Sequence, residues 1–291
     1  MTIDYTLIEK TLTSSDGAAV YAVAAGNPTN QSIVFIHGFA LSAAVWEGIL
    51  KDERLLKEYY LVAYDLRGNG RSGKPADPEG HASSLYAADF DAVLKAFNLN
   101  RPIIVPWSLG GIIAADICAH LPPGTISGII YLNAVPSTGP VIVESGSPYI
   151  MGELPSMLST TDTTAALEAK VKFVDACFSK PNETSARLKW EWLGMVSVTP
   201  PVVAALTNSR DQDPGKLYEA VANGLPVSMI SSTADTVILT AKVEGIMKGL
   251  FKNFTVRHIQ GGSHAPFICQ KDEFVEALIE LASATLSQKT E

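Results

Sequence analysis

Short apolar runs alternate with helix-length stretches along most of this chain, and no other feature narrows its fold as much. Tyr5–Leu12 and Ala18–Ala24 read as two strands around a Ser-Ser-Asp-Gly turn. Gln31–Ile36, Tyr60–Leu66, Pro102–Pro106 and Gly128–Val135 read as further strands. Between them Ser42–Tyr59, Leu85–Phe97 and Gly110–His120 have helical spacing. Val45, Ile49 and Leu55 fall on the inner face of the first of these, and Leu85, Phe90, Val93, Leu94 and Phe97 on that of the second. Strands separated by helices imply a mostly parallel sheet covered on both faces. The rhythm stops at Pro136. As far as about Asn223, proline, glycine and serine break up helix-like segments at 163–178, 183–195 and 199–209. It resumes with a strand at Pro226–Ser231, a helix near Val237–Leu250, a strand at Phe254–Ile259 and a last helix from Pro266 to about Leu286. The prediction is one α/β domain, residues 1–137 and 223–291, interrupted after its sixth strand by a helical insertion, 138–222.

Composition narrows the function. The 291 residues carry 22 Lys+Arg against 30 Asp+Glu, a net charge of −8, with no basic cluster, so nucleic acid is not an expected partner. Only 18% of residues are charged, as suits a doubly covered sheet of long apolar strands. No stretch approaches the roughly 18 apolar residues of a membrane span, and Met1–Tyr5 lacks the basic-then-apolar start of a secretory leader. A cytoplasmic protein is expected, with the sequons at Asn30, Asn182 and Asn253 arising by chance. Cys118, Cys177 and Cys269 are an odd, widely spaced set, read as free thiols. No metal is expected: H-E-x-x-H and C-x-x-C are absent, and Cys118 and His120, two apart on a helix, face different sides. Gly68–Gly73 matches G-x-G-x-x-G, but Lys74-Pro75-Ala76-Asp77-Pro78 follows where a dinucleotide site needs a helix. No cofactor is expected.

The chemistry is carried by Ile103-Ile104-Val105-Pro106-Trp107-Ser108-Leu109-Gly110-Gly111-Ile112, which reads strand, tight turn, helix. A sharp turn there pushes the Ser108 hydroxyl out at the strand end. It also places the Leu109 amide at a helix N-terminus, where a developing oxyanion is stabilised. The glycines let the crossing helix approach closely, and Pro106 stands where the G-x-S-x-G pattern has its first glycine. The alternative is a serine that only caps the following helix. A serine nucleophile needs a base and the base needs an orienting acid. Of five histidines, His37 offers chiefly its backbone, His81 lies in a Pro/Gly-rich loop, His120 ends a helix and His258 lies within a strand. His264, in Gly261-Gly262-Ser263-His264-Ala265-Pro266, occupies a strand-to-helix loop able to reach Ser108. Asp235 follows the strand Val227–Ser231. The competing strand end, Tyr131-Leu132-Asn133-Ala134-Val135-Pro136, has no carboxylate before Glu144. The predicted triad is Ser108, Asp235 and His264.

At these residues the chain resembles the α/β-hydrolase family, over about residues 5–287. The resemblance implies an eight-stranded, mostly parallel sheet flanked by helices, with 138–222 as a helical cap. It also implies an oxyanion hole made by the backbone amides of Phe39, after His37-Gly38, and of Leu109. The family's Asp-x-x-Gly-x-Gly-x-Ser turn stands at Asp65–Ser72, and Phe35–Ser42 with Trp46 looks like the small esterases and cofactor-free haloperoxidases of this family. Ser108 argues against the epoxide hydrolases and haloalkane dehalogenases, which use an aspartate nucleophile. Met151, Phe173, Trp190 and Trp192, among the aromatic and sulfur residues of the insertion, either line a pocket over Ser108 or pack the insertion itself. Trp107 either packs beneath the turn or touches substrate. The expected activity is hydrolysis of a small apolar ester, lactone or thioester through an acyl-enzyme. Perhydrolysis, carbon–carbon cleavage and lyase chemistry on the same triad stay open, as does a ligand receptor with little turnover. A homodimer stays open too.

Overall fold

The computed structural model describes residues 6–288, so Met1–Tyr5, where no secretory leader was expected and where the first expected strand begins, lies outside the described residues. Eight strands form one sheet: β1 (Ile8–Thr13), β2 (Ala19–Ala25), β3 (Gln31–Ile36), β4 (Tyr59–Tyr64), β5 (Ile103–Pro106), β6 (Gly128–Leu132), β7 (Val227–Ser232) and β8 (Thr255–Ile259). Their spatial order is β1-β2-β4-β3-β5-β6-β7-β8. β1 and β2 pair antiparallel, as do β2 and β4, and every other neighbouring pair is parallel. The continuous apolar runs lie centrally and are buried on both faces, as in β4, β5 and β6. β1 and β8 lie at the edges, and most of their residues are exposed. Edge positions carry the charges Glu9, Lys10 and Arg257, which disfavour pairing with another chain.

Ser42–Tyr59 does not form the single helix expected. It is a 3-10 turn (Ala43–Trp46), α1 (Glu47–Leu50) and α2 (Glu53–Leu56). The break falls at Asp52, whose extended backbone ends one helix while its carboxylate accepts the Arg54 amide and starts the next. Val45, Ile49 and Leu55 are buried all the same. α3 (Ser83–Ala96) and α4 (Ile113–His120) follow β4 and β5 as expected, and α4 is led by a 3-10 turn, Ser108–Ile112.

The insertion after β6 contains α5 (Pro140–Ser145), α6 (Pro148–Met157), α7 (Thr163–Ala176), α8 (Ala186–Val198), α9 (Pro201–Ser209) and α10 (Gly215–Ala222). The first two were hidden in the sequence by their prolines. Pro140 and Pro148 occupy the first helical turn, where no backbone hydrogen bond is lost, and Pro155 lies inside α6. α10 packs on α4 with Leu217 fully buried. The core closes with α11 (Thr240–Leu250), α12 (Pro266–Cys269) and α13 (Lys271–Ser287). None of the described helices is long and apolar enough to cross a membrane.

The start of the insertion and the stretch between α9 and α10 are both tied to α4. Gln212 accepts the Thr138 amide at 2.9 Å and donates to the Ile112 carbonyl and to Asp116, each at 2.7 Å. Arg210 grips both oxygens of Asp116 and lies over the Tyr86 ring, 4.1 Å from its centroid. The two side chains are 3% and 0% exposed, so neither charge is hydrated if the other is lost. Asp116→Ala should therefore cost about 3–5 kcal/mol of unfolding free energy in urea titration. A loss below about 1 kcal/mol would contradict this role for the pair.

Candidate active site

β5 delivers its last residues to the C-terminal edge of the sheet, and the chain turns there on Ser108. Trp107 is still extended and donates its amide to the Ile36 carbonyl at 2.9 Å. Ser108 has φ +57, a left-handed conformation uncommon for a residue with a side chain. Glycines make the turn fit: a Cβ on Gly110 would collide with the His37 carbonyl oxygen, and one on Gly111 with that of Val135. Pro106 is accommodated because the ladder from β5 to β6 has already stopped at Ile104 and returns only as a single bridge, Trp107 to Leu132. A residue without an N–H costs nothing where no ladder bond is made.

The three residues predicted from separate stretches meet here. Ser108 Oγ lies 2.9 Å from His264 Nε2, and His264 Nδ1 lies 2.8 Å from Asp235 Oδ2. A carboxylate only accepts, so Nδ1 carries the proton and Nε2 is left to accept the serine hydroxyl. The other Asp235 oxygen accepts the Val237 and Ile238 amides at 2.7 and 2.9 Å. The Asp235 and His264 side chains are almost wholly buried.

The loop carrying His264 is held in part by a residue that the sequence did not single out. Asn133, just past β6, is buried and left-handed at φ +43. Its Nδ2 donates to Ser232 Oγ at 2.9 Å and to the Ser263 and His264 carbonyls at 3.1 Å, and its Oδ1 accepts the Ser232 amide at 2.8 Å. Asparagine at a strand end was the available signal, since it tolerates this conformation. Trp107 adds a bond from Nε1 to the His264 carbonyl at 2.8 Å. The Ala265 amide reaches across to Cys177 at the end of α7, at 3.0 Å.

The other histidines bond elsewhere: His81 with Tyr86, His120 with Ser83 and His258 with Glu244. His37 is fully buried beneath the loop that carries Phe39. Its Nδ1 donates to the Gly38 carbonyl at 2.8 Å, and its Nε2 accepts the Leu66 amide at 2.9 Å. Among the described residues, neither the Phe39 nor the Leu109 amide has a hydrogen-bond partner. No group of three or more His, Cys, Asp or Glu among them could hold a metal.

Above Ser108 lies a void of about 560 Å³, open solvent at its mouth included. Phe39, Leu109, Val135, Val237 and Ile238 line it from the core, and α5, α6, α7 and α9 close over it from the insertion. Met151 and Phe173 line it, with Phe173 edge-on to Phe39 at 5.8 Å. The three tryptophans do not. Trp107 is fully buried under the turn, against Trp46, Trp192, Phe267 and the His264 ring. Trp192 belongs to the same aromatic cluster, whereas Trp190, two positions earlier on α8, is 70% exposed. Two residues along a helix is more than half a turn, so both rings cannot face inward.

A sequence model of the alpha/beta hydrolase family matches residues 33–277. A non-heme chloroperoxidase of Streptomyces lividans is 35% identical over 135 residues, 46% of this chain and 47% of that protein. A pimeloyl acyl-carrier-protein methyl ester esterase of Aliivibrio fischeri is 29% identical over 258 residues, 84% of this chain and 91% of that protein. The chain spans about half the length, or less, of the first curated relatives it matches. Among solved structures, an esterase of Rhodococcus sp. ECU1013 has a TM-score of 0.84 at 25% identity, covering 95% of this chain and 99% of that one.

Burial lowers the pKa of His37 to about 4, because a charged ring there would be cut off from water. The unfolded chain takes up this proton below about pH 6.5 and the folded chain does not. Stability from this ring is complete above that pH and drains as pH falls toward 4, by about 2 kcal/mol between pH 7 and pH 5. Urea unfolding at the two pH values should show a drop smaller by that amount in His37→Asn. An equal drop in both proteins would contradict it.

Proposed function

The chain belongs to the alpha/beta hydrolase family, and from that premise we propose that it is a serine hydrolase cleaving a small apolar carboxylic ester, lactone or thioester. The observation that carries this reading is the unbroken chain of hydrogen bonds from Ser108 through His264 to Asp235 at the floor of an apolar cavity. His264 Nε2 takes the serine proton as Ser108 Oγ attacks the substrate carbonyl. Asp235 holds the imidazole in the tautomer that can accept and stabilises the imidazolium that forms. The backbone amides of Phe39 and Leu109, two residues of the cavity lining, have no hydrogen-bond partner among the described residues and supply donors to the oxyanion. The tetrahedral adduct collapses as His264 returns the proton to the departing alkoxide or thiolate. A water, deprotonated by the same nitrogen, then attacks the acyl carbon, and His264 gives that proton to Ser108 Oγ as its bond to the acyl group breaks and the acid leaves. The insertion acts as a cap whose aliphatic side chains take the hydrocarbon part of the substrate.

The similarity to a chloroperoxidase favours a second use of the same acyl-enzyme, attack by hydrogen peroxide in place of water to release a peracid. Peroxide-dependent halogenation that needs a carboxylic acid would reveal it.

Replacing Ser108 by alanine should lower turnover of p-nitrophenyl butyrate by about 10⁴-fold or more, since removing the nucleophile of such a triad disables the whole unit. Turnover within tenfold of the unaltered protein would overturn the proposal.

A further inference from the structure

Among the side chains that line the cavity, Ser108 and Asn208 are the polar ones, and the rest are apolar. Ser108 is engaged by His264. Asn208 lies in the last turn of α9 and is half-buried. Its Nδ2 donates to the Ala204 carbonyl one turn back at 3.0 Å, and its Oδ1 has no partner among the described residues. An amide oxygen with no protein partner can accept from a ligand group that enters the cavity. The neighbouring positions are held firmly. Arg210 is locked on Asp116, and Thr207 bonds back to Val203 while accepting the Tyr86 hydroxyl. Asn208 thus offers an acceptor at the cavity wall on a firmly held stretch of helix, the kind of group that orients a ligand in an otherwise apolar pocket.

Resting on the hydrolase reading above, we infer that Asn208 is a specificity-determining residue and that Oδ1 receives an N–H or O–H of the substrate remote from the scissile bond. The preferred substrates are then esters or lactones whose apolar part bears one such donor, as in hydroxyacyl or acylamino compounds. A purely hydrocarbon chain of the same length leaves Oδ1 unsatisfied and binds less well.

The test compares kcat/KM for p-nitrophenyl hexanoate with that for its 3-hydroxy and 6-hydroxy analogues. The unaltered protein should favour at least one hydroxylated ester, and in Asn208→Leu that preference ratio should fall about tenfold, the worth of one neutral hydrogen bond. A thermal unfolding midpoint on both proteins shows that the variant is folded. A preference absent from the unaltered protein, or unchanged in the variant, would overturn the inference while leaving the hydrolase reading intact. Absence of turnover with every ester would overturn that reading and this one together.

Discussion

The close approach of α4 and its leading 3-10 turn to the ends of β3 and β6 is the constraint on which the site depends. Without side chains at Gly110 and Gly111, backbone meets the carbonyls of His37 and Val135 directly. That contact lets Ser108 hold a left-handed backbone and present its hydroxyl above the sheet edge. Gly38 shares the constraint, since a Cβ there would lie 3.0 Å from that of Ser108. The cost of strain at one serine, of order 1–3 kcal/mol, is offset by a buried sheet that over-determines the position.

A hydroxyl held this way is useful only if the base arrives with equal precision, and the partners come from loops 127 and 156 residues further along the chain, by the differences 235 − 108 and 264 − 108. Parallel strands solve this because their C-terminal ends lie side by side: β5 carries Ser108, β7 leads to Asp235 and β8 leads to His264. Asn133 bridges the ends of β6, β7 and the His264 loop, and Trp107, packed among Trp46, Trp192 and Phe267, lies against the imidazole. The insertion is tied to α4 at its start and again between α9 and α10, so the cavity roof and the nucleophile share one anchor.

Much of this was legible in the sequence because each signal is local. A serine between a strand and paired glycines, an aspartate just past a strand and a histidine in a glycine-rich loop each carry their own context within about ten residues. Element order and the insertion were legible for the same reason, through hydrophobic period and length. Tertiary choices were not. Nothing nearby says that Trp192 turns inward and Trp190 outward, or that Met151 faces a cavity while Trp107 lies beneath it. Asn133 has no local signature for this role either, because its work is done by an amide bonding to backbone 130 residues away. α5 and α6 escaped notice because proline within a helical first turn looks locally like a break.

The central claim, that Ser108 is the group activated by His264, is tested most directly by exposing the protein to a fluorophosphonate and mapping the adduct by peptide mass spectrometry. The account predicts one equivalent of phosphonyl group, on Ser108. Stoichiometric modification of any other residue, with Ser108 left free, would contradict it.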